Sequence, residues 1–273
     1  MPLDALALAL AAAVVHALWN LLTARAVESQ VAAGVALAIG AAAFAPVALL
    51  TWDVRAGAAP YAVASVVLEL AYLALLATAY QRAPLSVVYP VARGAAPVIV
   101  LAVSVIALGA SLPGGAVAGV LAIGAGVLLV RGTARGGRGT ALGLAVAACI
   151  AGYTLVDNAA LAHAAPVPYL DLVMAPTAVL YLAGAARRWG PRALVAELRP
   201  ATVVAGLGMF AAYALALAAL ARAAAAPVAA VRESSVVIAT ALAAVVLREH
   251  VDRRRWIGAV LVVAGIAAIA LAG

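Results

Sequence analysis

Apolar runs long enough to cross a bilayer follow one another along the whole 273-residue chain, so it cannot fold around a water-facing surface. Ten runs can be marked off, at about 3–23, 31–51, 61–80, 85–108, 114–130, 140–161, 169–186, 201–221, 227–247 and 256–271, divided by Arg, Pro and Gly clusters. A spanning helix takes about 20 apolar residues and a helix connection about 2–8. Only 10% of the residues are charged and 68% are hydrophobic, whereas about a quarter of a soluble domain is charged. That balance excludes soluble, disordered, fibrous and disulfide-stapled classes. Within hydrocarbon the backbone must satisfy itself, as helices or as a closed barrel. A barrel would alternate polar and apolar residues, and the run from Val98 to Val103 does not. The expected fold is an all-α membrane protein of ten transmembrane helices.

Loop charges test that division. All 17 basic residues are Arg. The connections after the odd-numbered runs hold 13 of them: Arg25, Arg82, Arg131, Arg135, Arg138, Arg187, Arg188, Arg192, Arg199, Arg248, Arg253, Arg254 and Arg255. The even connections hold Arg55 and Arg222, and Arg93 and Arg232 fall inside runs. By the positive-inside rule the odd loops are cytoplasmic and both termini face outward, in a bacterial inner membrane. This placement accounts for the net charge of +7 without nucleic acid. The apolar N-terminal stretch lacks a preceding basic region and reads as the first span rather than a cleaved signal. The lone Cys149 permits no internal disulfide.

A shift of 139 residues lays the fourth and fifth runs on the ninth and tenth without a gap. Arg93 falls on Arg232, Leu108 on Leu247, Gly119 on Gly258 and Gly126 on Gly265. A rare intramembrane Arg and two glycines spaced seven apart share that one offset. Five spans is an odd number, so a second copy must enter the membrane inverted. Residues 1–134 and 135–273 are thus expected as inverted five-helix repeats around a central cavity, a plan suited to alternating access.

Particular segments carry a family resemblance: His16-Ala-Leu-Trp-Asn20, Tyr80 to Gly94 entering the fourth run, Ala230-Val-Arg-Glu-Ser-Ser235, and Leu247-Arg-Glu249 followed by Trp256-Ile-Gly258. On these the chain resembles the EamA-type branch of the drug/metabolite transporter superfamily. The resemblance implies two inverted five-helix halves, with the third, fourth, eighth and ninth spans lining a cavity and export of amino acids or related metabolites as the activity. Two features depart from the family pattern. Leu108-Gly-Ala110 stands where relatives often carry an acid, which only the second copy keeps, as Glu249. The arginine count also places the termini opposite to where many relatives are drawn.

A charge at the bilayer centre costs at least about 2.5–3.5 kcal/mol, so intramembrane charges are functional candidates. Arg93 lies about 12 Å into its span, at 1.5 Å per residue, and Arg232 holds the equivalent place in the second copy. Two guanidinium groups suit a bidentate grip on a carboxylate or phosphate, or internal ion pairs with Glu69 and Glu233. Glu69 shares a helix face with Tyr72, Leu76 and Tyr80. A carboxyl held in an apolar core can take up and release a proton, which makes Glu69 and Glu233 the coupling-proton candidates. Tyr89, one turn before Arg93, and Tyr213 are candidate ligand contacts. Pro90 and Pro97, with Pro84, punctuate the fourth span and form a hinge or a fixed kink. Gly119, Gly126, Gly258 and Gly265 are expected to pack the fifth and tenth spans. Asp157 and Asn158 are placed near an interface, His16 and Asn20 form a buried polar pair, and His163 and His250 are loop residues without a role.

With no Lys there is no P-loop, and neither a zinc helix nor a Ser nucleophile elbow occurs, so no metal or other cofactor is implied. The expected function is secondary active transport of a small carboxylate-bearing metabolite by a monomer in the lipid bilayer, with protons as a coupling ion. The alternative is an exchanger of larger organic anions such as sugar phosphates. An intramembrane enzyme or a channel is the reading from another class.

Overall fold

A computed structural model describes residues 1–23, 29–83, 85–131, 137–247 and 252–272. Arg25, Pro84, Arg135, Arg248, Glu249 and His250 lie outside these, as do the side chains of Asn20, Tyr80, Arg131 and Leu247. Every apolar run is helical: α1 (Leu3–Thr23), α2 (Ser29–Leu50), α3 (Ala59–Arg82), α4 (Leu85–Ala102), α5 (Gly114–Arg131), α6 (Gly137–Ala160), α7 (Pro166–Trp189), a short α8 (Pro191–Ala196), α9 (Pro200–Leu220), α10 (Ala225–Arg232), α11 (Ser234–Leu247) and α12 (Arg253–Leu271). Among the described residues seven helices are long and apolar enough to cross a membrane. Two more, Leu3–Trp19 and Gly114–Val130, are shorter apolar helices. The chain is an all-α integral membrane protein.

Two places depart from the expected spans. The ninth run is divided at Glu233, where Glu233 N–H bonds Ala230 O and Val236 N–H bonds Glu233 O, each at 3.0 Å. These three-residue links tighten the chain between α10 and α11. The fourth run continues as helix through Pro90 and Pro97, then widens into a π-turn over Val103–Ala107. Gly109, at φ 66°, follows it in the left-handed conformation that only glycine adopts at little cost.

Helices from residues 1–134 pack mainly on helices from 135–273. The main pairs are α5 with α12, α1 with α9, α3 and α4 with α6, and α2 with α7 and α9. Contact register gives their directions. Gly119 meets Gly265 and Gly126 meets Gly258, so α5 and α12 are antiparallel. Ser65 meets Asp157 and Leu68 meets Gly152, so α3 and α6 are antiparallel too. Val87 and Val91 lie against Gly139 and Gly143, which makes α4 parallel to α6. Such approaches need small residues, because helix association in lipid rests on close packing rather than on a hydrophobic drive.

The connections after α2 and α6 meet at one end of the bundle. Ala165 N–H bonds Asp53 O at 2.8 Å and Arg55 N–H bonds His163 O at 2.9 Å. His163, expected to be without a role, stacks on Tyr61 with ring centroids 5.8 Å apart. Its loop is therefore tied to the start of α3. The N-terminus joins the same end, since Asp4 pairs with Arg222 and the Met1 amine bonds Ile269 O.

The α5–α12 contact yields a stability prediction. A Cβ at Gly258 would lie 2.6 Å from Gly126 O and 2.7 Å from Val130, whereas one at Gly184 meets nothing within 4 Å. Gly258→Ala lowers stability by about 1–3 kcal/mol through overpacking, and Gly184→Ala leaves it unchanged or slightly raised. Thermal unfolding of the detergent-purified variants measures both.

Candidate functional site

The charged side chains within the bundle form two knots. In the first, Asp157 is 1% exposed near the end of α6. It accepts from Ser65 of α3 at 2.7 Å and Tyr169 of α7 at 2.9 Å on one oxygen, and from Tyr213 of α9 at 2.5 Å on the other. The expectation that Asp157 sits in solvent near an interface is thereby corrected. The loop that follows α6 folds back to start α7, and this carries Tyr169 onto the carboxylate. The Ser65 and Tyr213 bonds fall in the range of charge-assisted O–H···O contacts. The Tyr213 hydroxyl also lies 3.1 Å from Glu69 Oε1. A phenol carries one hydrogen, so two acids share a single donor.

The second knot centres on Arg93, 9% exposed on α4. Its Nε stands 3.0 Å from Oε2 of Glu233, in the turn between α10 and α11, and a terminal nitrogen lies 3.1 Å from Nε2 of His16 on α1. A guanidinium has no acceptor, so His16 accepts through Nε2 and carries its own proton on Nδ1. Glu233 and Arg93 attract by charge without an aligned hydrogen bond, since neither Nε nor Oε2 has a hydrogen-bond partner among the described residues. The hydroxyls of Ser234 and Ser235, next in the chain and buried, also lack one among the described residues.

An aromatic wall joins the knots. Tyr72 of α3 meets Tyr153 of α6 edge-on at 6.1 Å, and Tyr153 meets Tyr213 at 6.2 Å. The half-buried Arg232 places its guanidinium 5.8 Å from the centroid of the Tyr213 ring, a cation–π contact. Among the described residues Arg232 forms no ion pair. Tyr89 is half-buried one turn before Arg93, and Pro90 and Pro97 are buried on the same helix. The space enclosed by Arg93, Tyr153, Thr154, Ala229, Arg232 and Glu233 is about 10 Å³. That admits one water at most. Where a central cavity was expected, the space around the guanidinium groups is closed in this conformation.

The site draws on more helices than the resemblance implied. α1 and α6 supply His16, Tyr153 and Asp157 alongside α3, α4, α9 and α10. A signal for the missed groups was present: Ser65 and Glu69, like Tyr153 and Asp157, lie four residues apart, and each pair puts two polar groups on one face of an apolar helix. Glu69 joins Asp157 through Tyr213 rather than pairing with Arg93, whose carboxylate partner is Glu233.

The comparisons with known proteins agree in kind. No curated protein matches the chain. A solved structure titled "Crystal structure of protein" is similar over 99% of this chain and 98% of its own, at 20% identity and a TM-score of 0.79. At that identity the likeness is one of fold. The family model described as the EamA-like transporter family matches residues 137–271, α6 through α12. Through that second half, the chain belongs to the EamA-like transporter family.

Proposed function

We propose that this family member is a secondary carrier of small carboxylate-bearing metabolites, amino acids foremost, working by alternating access between two inverted halves, 1–134 and 135–273. The observation that carries the reading is Arg232. Its guanidinium lies inside the bundle over an aromatic ring and, among the described residues, has no acid of its own. A half-buried cation left in that condition suits an anionic ligand that comes and goes.

Helix pairing supports the inverted plan. Exchanging each helix for its counterpart in the other half turns α1–α9 into α6–α3, and α2–α9 into α7–α3; all four pairs occur. The offset of 139 likewise turns the Gly119–Gly265 contact into Gly258–Gly126. The three contact directions above agree with a chain that reverses at each apolar run, as ten crossings would require. Pro90 and Pro97 each remove a backbone donor from α4 on either side of Arg93, so the helix bends there at least cost.

Two measurements follow. Arg232→Gln lowers uptake of radiolabelled amino acids into proteoliposomes by tenfold or more while the protein still purifies folded; uptake equal to the parent's would remove Arg232 from the site. Tyr213→Phe removes the single donor that Asp157 and Glu69 share. It lowers thermal stability by about 1–3 kcal/mol, the cost of an unmet buried polar group.

A further inference from the structure

Arg93 already holds a carboxylate, that of Glu233. We propose that a substrate carboxylate replaces Glu233 on Arg93, and that the displaced Glu233 takes up one proton, so that carboxylate and proton are bound together. This deepens the carrier reading above and rests on it. In the exchange an ion pair of Arg93 with Glu233, a free carboxylate and a proton become an ion pair of Arg93 with the ligand and a neutral Glu233. Charge balances on both sides.

Space makes the two carboxylates mutually exclusive. About 10 Å³ lies between Arg93, Arg232 and Glu233, too little for a ligand carboxylate beside the one in place. The present contact is also one that a ligand can improve. Arg93 Nε and Glu233 Oε2 lie 3.0 Å apart, yet neither is hydrogen-bonded among the described residues. A ligand free to align both its oxygens makes the bidentate pair that Glu233 does not. Glu233 sits in the tightened turn between α10 and α11, where its side chain can swing without unwinding a long helix. The buried hydroxyls of Ser234 and Ser235 follow directly, with no hydrogen-bond partner among the described residues.

The proton follows from a charge count. The groups acting on the pair are His16 on α1, Tyr72 on α3, Tyr153 on α6 and, from Arg93's own helix, Tyr89, all uncharged in their ordinary forms. Arg232 is the remaining cation, and its field reaches Glu69 and Asp157 as well as Glu233. Two guanidinium groups therefore face three carboxyls before a ligand enters and four afterwards. An unpaired carboxylate in a dry interior neutralises itself rather than remain charged. Glu233 is the one that loses its partner.

The test uses the full-length protein purified in detergent, with the common amino acids and their C-terminal amides as probes. Thermal stabilisation first identifies which acids bind, and a pH-indicating dye in weak buffer then counts protons. Expected are stabilisation by acids and not by their amides, and uptake of about one proton per ligand near pH 7. With one linked proton, the parent's affinity falls about tenfold for each pH unit above neutrality. In Glu233→Gln uptake is lost and affinity becomes flat with pH. Binding without proton uptake, or uptake that survives Glu233→Gln, overturns the exchange and leaves the carboxylate carrier standing. Equal stabilisation by the amides overturns both. The parent's own proton count and pH profile decide the question even if a variant fails to fold.

Discussion

Charge inside hydrocarbon has to be answered by charge or by hydrogen bonds, and that requirement fixes the arrangement of this bundle. Apolar faces of Ala, Val and Leu distinguish poorly between one helix and another, because lipid tails are as apolar as they are. Asp157 specifies what packing does not: its three donors stand on α3, α7 and α9. Arg93 does the same for α1 and the α10–α11 turn. Removing one partner of such a buried pair costs about 3–5 kcal/mol, since the other charge is left alone.

Those contacts need helices close enough for short side chains to meet. Gly152 lets Leu68 in against α6, one turn from the Ser65–Asp157 bond, and Gly139 and Gly143 let α4 lie along α6 below Arg93. Glycine thus serves the polar site at a distance. It sets a helix separation at which Ser65, with a single hydroxyl on Cβ, reaches a carboxylate on the neighbouring helix.

The helices were legible because hydrocarbon imposes length and apolarity on each: all ten runs proved helical, and among the described residues seven helices are long and apolar enough to cross a membrane. Arg93, Arg232, Glu69 and Glu233 stood out for the same reason, as charges where charges are costly. What the sequence did not disclose was who pairs with whom. Asp157 looked like an interfacial residue because it lies three residues from the end of α6, and span-end reasoning takes the membrane boundary to follow the helix end. The chain instead turns inward there, held by the Asp53–Ala165 and Arg55–His163 bonds, and brings Tyr169 over the carboxylate. Depth was set by a loop-to-loop tie that no periodicity records. The division of the ninth run was hidden likewise, for Ala, Val and Ser around Glu233 carry no helix-breaking signal.

Tyr213 shows why the two knots cannot act independently. Its hydroxyl touches Glu69 on α3 and Asp157 on α6, and its ring lies beneath Arg232 of α10. A helix moves as a rigid unit over a few turns, so a displacement of α9 that breaks the contacts to α3 and α6 also takes the ring from under Arg232. The converse holds: an anion that draws the guanidinium off the ring removes a positive charge that offsets the repulsion between two carboxyls sharing one donor. Relief comes by separating α3 from α6, the helix whose Tyr153 and Thr154 also line the space around Arg93. In the carrier proposed above, ligand charge and bundle geometry are joined through one phenol, with no longer relay required.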